Sequence, residues 1–165
     1  MRQAARRCTD TGRDEEMINS RRFLFCQRWL LALGVIIVVF GVALALLYPT
    51  PLFDIFRTQI DPAFWAAGEL TSGTISFQQW IYGVLGATMA GWGVCIAFIA
   101  AVPFKRKEKW AWNCLALAVS LWFVIDTFLS WRFGALFNVV FNVLIFLATL
   151  IPLLLSRKYF LIPNP

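Results

Sequence analysis

Long apolar runs dominate the pattern of hydrophobic and polar positions along this chain. Four of them are about twenty residues long, and they cover positions 29–48, 80–102, 110–130 and 135–155. An α-helix rises about 1.5 Å per residue, so twenty residues cross the roughly 30 Å hydrocarbon core of a bilayer. The runs therefore predict four membrane-spanning helices.

Small residues recur in the first two runs at alternating steps of three and four positions. The helix-packing candidates among them are Gly34, Gly41, Gly83, Ala87, Ala90 and Ala97. Apolar helices gain no hydrophobic energy from pairing in lipid, so they associate where small side chains let their backbones approach. A mean step of about 3.5 residues keeps such a stripe facing one neighbour. We expect a packed seam here, although a stripe of small residues also arises by chance in membrane helices.

Polar residues take the corresponding positions in the last two runs, where asparagine, serine and threonine recur. Such side chains predict hydrogen bonds between neighbouring membrane helices. The predicted fold class is therefore all-α. It is an integral membrane antiparallel four-helix bundle with an up-down-up-down order of spans.

Positively charged residues are distributed unevenly over the two sides of the predicted bundle. Seven lie in segment 1–28, four connect the second and third runs and two follow the fourth, whereas only Arg57 and Arg132 lie on the opposite side. Basic residues that flank membrane helices concentrate on the cytoplasmic side. The pattern predicts cytoplasmic termini in a cell (inner or plasma) membrane, with 1–28 a mobile basic tail and 156–165 a C-terminal tail.

The segment 49–79 is a long connection for the outer side of so small a bundle. Its apolar patches predict one or two short helices at the membrane surface. Asp61 followed by Pro62 is typical of a helix start, and the Thr, Ser and Gly residues of 71–74 predict irregular backbone. The alternative is a lid over a site between the spans.

Asp126 is the one acidic or basic residue inside a predicted span. An aspartate near the centre of a membrane helix costs about 2.5–3.5 kcal/mol on insertion scales, so it indicates a function or a buried partner. Trp122 and Ser130 lie four residues to either side, and the fourth run brings Asn138 to a similar depth, with Asn142 one turn deeper. These five residues are the candidates for a ligand or proton site. The alternative is structural, with the carboxylate bonded to Asn138 and an arginine.

Composition narrows the chemistry further. Hydrophobic residues make up 60% of the chain, and the net charge of +6 resides mostly beside the predicted spans, which indicates membrane lipids rather than nucleic acid as the partner. The chain has no histidine, no paired intramembrane carboxylates and no zinc-type spacing of its four cysteines. The sequence therefore predicts no catalytic residues, no metal site, no cofactor and no enzymatic activity.

The stretch 78–150 contains three short motifs. They are Gly86-Ala-Thr-Met-Ala-Gly91-Trp-Gly93, a basic link that ends in Glu108-Lys-Trp110-Ala-Trp112, and Trp122-Phe123 with Asp126. With these motifs the chain resembles small four-span bacterial integral membrane proteins of uncharacterised function. The resemblance implies a bacterial inner-membrane setting and no particular activity.

The sequence thus favours a multi-pass membrane protein that binds a lipid-like or amphiphilic ligand or serves as an assembly partner. The alternative is a small transporter or channel subunit that uses Asp126 and the neighbouring asparagines as a polar path. Such a channel requires an oligomer, because four close-packed helices leave little lumen. Besides membrane lipids, the partners to consider are a second copy of the chain and another membrane protein.

Overall fold

Five α-helices and two 3-10 turns make up the part of the chain that the structure describes. The structure is a computed structural model, and it describes the backbone of residues 2–65 and 70–161, with side-chain surroundings from residue 18 onwards. The helices are α1 (Arg2–Leu47), α2 (Asp54–Phe64), α3 (Ser72–Ala101), α4 (Lys109–Arg132) and α5 (Leu136–Ser156), and the 3-10 turns are Pro51–Phe53 and Arg157–Phe160. These ranges contain no strand, so the described fold is all-helical.

Four of these helices are long and apolar enough to cross a membrane. The candidate spans are Ile18–Leu47, Ser72–Ala101, Lys109–Arg132 and Leu136–Phe160. Large apolar side chains on their outer faces are widely exposed, and Val39, Leu46, Leu117 and Leu144 are 61–73% exposed. Water-soluble proteins rarely expose contiguous apolar surface on this scale. The four spans are those of a multi-pass membrane protein, with hydrocarbon covering these faces.

Helix α1 extends well beyond the apolar run that predicts it. It begins at Arg2 and not at Trp29, so the segment 1–28, predicted to be a mobile tail, continues the helix from Arg2 on. No proline precedes Pro49 to interrupt the helix. Pro49 restricts the backbone of the residue before it, and α1 accordingly ends at Leu47.

Helix α3 also begins earlier than predicted, at Ser72 rather than at residue 80. The Thr71 hydroxyl accepts a hydrogen bond from the Thr74 amide at 3.2 Å and so caps the helix. The prediction of irregular backbone over 71–74 is therefore wrong. A cap residue and the first turn of a helix have the same composition as a loop, which explains the error.

Helix α2 lies within the segment 49–79, where the sequence predicts a short helix. It spans Asp54–Phe64, and Pro62 lies in its last turn, so the expectation that Asp61 and Pro62 start the helix is wrong. The 3-10 turn Pro51–Phe53 leads directly into the helix, and the Asp54 carboxylate in the first turn favours the helix dipole.

The backbones of α1 and α3 lie in direct contact. A Cβ atom added at Gly34 would lie 2.7 Å from the amide nitrogen of Ala97, and one at Gly41 would lie 2.6 Å from that of Ala90. From the other side, a Cβ atom at Gly86 would lie 2.5 Å from the carbonyl oxygen of Gly41. Real Cβ atoms essentially never come this close to backbone atoms. Only glycine therefore permits this interhelical spacing.

Two of the predicted packing residues on α3, Ala90 and Ala97, do lie against Gly41 and Gly34 of α1, whereas Ala87 does not. Gly86 and Gly93 are buried against α1, whereas Ala87 is exposed. Gly83 lies at the edge of the contact, where an added Cβ atom would have an ordinary neighbour at 3.8 Å. Steps of three and four can be drawn through either of two adjacent faces, and glycine decides between them because it allows the closest approach.

Helix α5 packs between α1 and α4, whereas α3 and α4 make few contacts. The α4–α5 turn passes through Gly134, whose φ is +76°. The amides of Gly134 and Ala135 donate to the carbonyl oxygens of Trp131 and Ser130, at 3.1 and 2.9 Å. These two bonds form a Schellman motif, which ends α4 and lets α5 return beside it.

Two tryptophans donate hydrogen bonds to backbone carbonyl oxygens of α5. Pro152 has no amide hydrogen, so the carbonyl of Ala148, four residues earlier, loses its helical donor. Trp29 Nε1 donates to this oxygen at 2.8 Å. Trp112 Nε1 donates to the Leu153 oxygen, near the end of the helix, at 2.8 Å. An unpaired carbonyl is costly in hydrocarbon, so these bonds join α1 and α4 firmly to α5.

One end of the bundle, which we call the basic end, contains the α3–α4 link (102–108) and the C-terminal 3-10 turn. Its apolar core consists of Phe23, Leu30, Ile37, Ile96, Ala100, Phe104, Ala111, Leu115, Leu153 and Phe160. The Phe160 ring lies 4.8 Å from that of Phe104. Residues 157–160, predicted as part of a tail, therefore close this core.

We expect Gly86→Ala to destabilise the protein by about 1–3 kcal/mol, because the new methyl group forces α1 and α3 apart. Gly91→Ala is the matched control in the same helix, since a Cβ atom there has no neighbour within 4 Å. Thermal unfolding of the purified variants in detergent measures the difference. Equal midpoints for the two variants would contradict the close backbone packing.

We expect Trp29→Phe to destabilise the protein by about 1 kcal/mol, because it leaves the Ala148 carbonyl unpaired. In a Pro152→Ala background the restored amide satisfies that carbonyl, so the same substitution should cost much less. A double-mutant cycle of unfolding free energies measures the coupling. Additive effects would show that the indole and the proline act independently.

Candidate functional site

A hydrogen-bonded cluster surrounds the carboxylate of Asp126 in α4. Oδ1 accepts hydrogen bonds from Ser130 Oγ at 3.1 Å and from Asn138 Nδ2 at 2.9 Å. Oδ2 accepts one from Trp122 Nε1 at 3.1 Å. Asn138 Nδ2 also donates to Ser130 Oγ at 2.8 Å. Helical spacing and the tight α4–α5 turn thus bring four of the five candidate residues together.

The fifth candidate, Asn142, does not join this cluster. Its Nδ2 donates to Thr127 Oγ1 at 3.4 Å, and its side chain is only 1% exposed. The bond connects α4 to α5 at a second level. Asn142 therefore supports the helix pair rather than the carboxylate.

The Asp126 carboxylate has several donors but no neighbouring cation. Among the side chains that the structure describes, the only ion pair joins Arg57 to Asp54 in α2, and that hydrogen bond raises the pKa of Arg57. Arg132 does not reach Asp126, contrary to the structural alternative drawn from the sequence. A carboxylate has about four lone-pair positions. Three donors leave one position on Oδ2 and the negative charge available.

Two adjacent spaces adjoin this cluster. The outer space, of about 460 Å³, lies between α2, α3, α4 and the start of α5. The inner space, of about 270 Å³, is lined by all five helices. Phe56, Leu85 and Asn138 line both spaces and so lie at the boundary between them. The outer space alone lies within the range of about 300–1,000 Å³ that is typical of small-molecule pockets.

The walls of both spaces are mainly aromatic and aliphatic. The inner space is lined by Ile37, Phe40, Leu44, Phe56, Leu85, Met89, Trp92, Trp122, Phe141 and Ile145, with Asp126, Asn138 and Asn142 as its polar members. The rings of Trp92 and Trp122 lie 5.7 Å apart and close the side nearest the basic end. A few polar groups in an apolar cavity are what orients a ligand in most binding sites.

Helix α2 covers the outer space from the side opposite the basic end. Phe56, Ile60 and Phe64 line the space from this helix. Gln78, which is 4% exposed, donates to Asp61 Oδ1 at 2.7 Å and so ties α2 to α3. Helix α2 therefore lies where a lid would lie, held by one buried amide.

The sequence analysis did not identify Leu85 and Phe56, and it gave a lid from segment 49–79 only as an alternative. Leu85 and Phe56 are apolar residues among many, and no spacing distinguishes them. Gln78 was the one residue that could have indicated how α2 is held, because an amide just before an apolar run needs a hydrogen-bond partner when it is buried. Asp61, the nearest acid on the preceding helix, was the natural candidate for that partner.

No known protein family, curated protein or solved structure matches this chain. Among the described residues, no three histidine, cysteine, aspartate or glutamate side chains come together as metal ligands would. The functional conclusion therefore rests on the geometry of the Asp126 cluster and the two spaces beside it.

We expect Asp126→Asn to destabilise the protein by about 1–3 kcal/mol, because the new amide must turn its NH₂ group toward one of three donors. Replacing Trp122 with Phe in that background removes one donor and should recover part of the loss. Thermal unfolding of the single and double variants tests this coupling. Strictly additive losses would contradict the hydrogen-bond geometry.

Proposed function

We propose that this protein is a non-enzymatic multi-pass membrane protein that binds a small amphiphile between its helices. The observation that carries the proposal is an apolar space with a hydrogen-bonded carboxylate in its wall, next to a second apolar space that reaches the same cluster at Ser130 and Asn138. The polar end of an amphiphile would bind at the Asp126 cluster, and its chain would lie against the aromatic and aliphatic walls. Burial of that chain supplies the affinity, and the cluster supplies the orientation.

The remaining acceptor position of the Asp126 carboxylate favours a ligand whose polar end donates hydrogen bonds or carries positive charge. One lone pair of Asp126 Oδ2 is open, and no cation among the described side chains neutralises the carboxylate. An alkylammonium group satisfies both the lone pair and the charge. A carboxylate ligand would be repelled.

Entry from the lipid is supported by the weak contact between α3 and α4. The outer space lies along this gap, lined by Phe77 and Ile81 on one side and by Leu129 and Phe133 on the other. All four side chains are 38–56% exposed. An amphiphile would thus enter sideways from the bilayer without crossing water.

We further propose an antiparallel, up-down-up-down order of spans with both termini cytoplasmic in a bacterial inner membrane. The α1–α3 contacts support opposite helix directions, because Gly34 faces Ala97 while Gly41 faces Ala90. The basic residues near the chain ends and the α3–α4 link support the orientation. The two spaces would then belong to the outer half of the membrane.

Binding is better supported than conduction by a transporter or channel subunit. A polar path would have to continue from Asn142 to the basic end. The core there is mainly apolar, and Leu30, Leu115 and Leu153 are at most 2% exposed. Its buried polar side chains, Gln27, Thr149 and Ser156, each donate to a backbone carbonyl oxygen and do not bond to one another. The site is therefore open toward one half of the membrane.

Photolabelling in liposomes tests the proposal with a twelve-carbon alkylamine that carries a diazirine on its chain. We expect labelling of Met89 and Phe141, which line the inner space, beyond that of the lipid-facing Val140. The corresponding alkyl carboxylate should label the inner residues several-fold less.

Leu85→Trp should block this labelling, because the larger side chain fills the boundary between the two spaces. Val84→Trp is the matched control on the adjacent position of the same helix, which is equally exposed but lines neither space. Unchanged inner labelling in Leu85→Trp, or labelling confined to lipid-facing residues in the unaltered protein, would refute ligand binding between the helices. An assembly role would then be the remaining option.

A further inference from the structure

A groove at the basic end lies between α1 and the C-terminal part of α5, remote from Asp126. It encloses about 720 Å³ and is lined by Arg21, Arg22, Phe25, Cys26, Leu154, Leu155, Lys158 and Tyr159. It is separate from the inner and outer spaces, with which it shares no lining residue.

The polarity of this groove changes along the helix axes. Arg21 and Arg22 lie one turn nearer the chain start than Phe25, and Lys158 lies one turn nearer the chain end than Leu154 and Leu155. Both helices therefore present cations at the end of the bundle and apolar side chains deeper in the span. Phe25, Leu154 and Leu155 are 54–61% exposed, so these side chains are available to a ligand.

Hydrogen bonds hold the walls of the groove in place. Lys158 Nζ donates to Asn19 Oδ1 at 2.7 Å, and Tyr159 OH donates to the Asn19 carbonyl oxygen at 2.9 Å. Toward the middle of the span, Trp29 is fixed to α5 through the Ala148 carbonyl and its ring lies 6.0 Å from Phe25. The groove thus has fixed contacts at both of its ends.

The cations of the groove have no acidic partner among the described side chains. On α1, the positions three and four residues before Arg21 and Arg22 are Met17, Ile18 and Asn19, so helical spacing places no acid beside either arginine. Three positive charges at one end of an apolar groove match the order of groups in an anionic phospholipid, in which a charged headgroup precedes an acyl chain.

We propose that this groove binds one anionic phospholipid from the leaflet at the basic end. Arg21, Arg22 and Lys158 contact the phosphate and headgroup, and an acyl chain lies along Phe25, Leu154 and Leu155. Arginine binds phosphate in a two-pronged geometry, which suits a pair of arginines at the rim. The zwitterionic phosphatidylcholine binds more weakly, because its choline group offsets the attraction.

Native mass spectrometry of the full chain in detergent tests this site, with phosphatidylglycerol and phosphatidylcholine titrated separately. We expect tighter binding of phosphatidylglycerol. A basic residue near an anionic group strengthens attraction roughly fivefold, so the variant Arg21→Gln/Arg22→Gln/Lys158→Gln should bind phosphatidylglycerol at least about tenfold more weakly. Its affinity for phosphatidylcholine should change little.

The matched control is Lys105→Gln/Arg106→Gln/Lys109→Gln, which removes the same charge from the same end of the bundle. These side chains are exposed and do not line the groove. The control should keep most of the preference for phosphatidylglycerol.

Equal losses in the two triple variants would reduce the effect to general charge attraction and overturn the site. Equal binding of the two lipids by the unaltered protein would do the same. If the groove variant does not fold, Arg21→Gln/Arg22→Gln against Lys105→Gln/Arg106→Gln gives the same comparison. Soluble glycerol phosphate should not compete, and full competition would show that the acyl contacts contribute nothing.

Discussion

The direct backbone contact between α1 and α3 determines where the rest of the bundle has room. Gly34, Gly41, Gly86 and Gly93 bring these two helices so close that no Cβ atom fits at the four positions. The α4–α5 pair is instead joined through side chains, which hydrogen-bond from one helix to the other. Because α5 joins the two pairs and α3 barely contacts α4, the space left over lies between α3 and α4. The two adjacent spaces next to the Asp126 cluster occupy that place.

A second constraint is that hydrocarbon offers no hydrogen bonds to polar backbone groups. Pro152 lacks an amide hydrogen and so interrupts the backbone hydrogen bonds of α5. The indole of Trp29 in α1 donates to the Ala148 carbonyl oxygen that is left without a helical partner. The same bond fixes the distance between α1 and α5 near the basic end. A local defect in one helix thereby positions a neighbouring helix, and this contact helps to shape the groove between them at the basic end.

The four spans and the Asp126 cluster could be predicted because each rests on one periodicity. Span length follows from apolar runs, and the cluster from spacings of four residues plus a short turn. The packing face of α3 could be predicted only in part, since Ala87 and Gly86 both continue a stripe of small residues and only contact with α1 separates them. A lid from segment 49–79 was one alternative from the sequence, but the long-range bond from Gln78 to Asp61 that ties α2 to α3 could not be predicted.

The cost of inserting the Asp126 carboxylate into the membrane can be compared with the stabilisation that its hydrogen bonds give to the fold. Insertion of an aspartate costs about 2.5–3.5 kcal/mol, and interhelical hydrogen bonds in membranes contribute about 0.6–1.7 kcal/mol each. Of the three bonds to the carboxylate, only that from Asn138 joins two helices, because Trp122 and Ser130 belong to α4 itself. The bonds therefore offset the insertion cost only in part. They do not explain why a charged group is used, because a neutral amide or hydroxyl could link α4 to α5 at lower cost. The remaining lone-pair position of Oδ2 lies beside a cavity, and under the proposed function a hydrogen-bond donor of the ligand would occupy it.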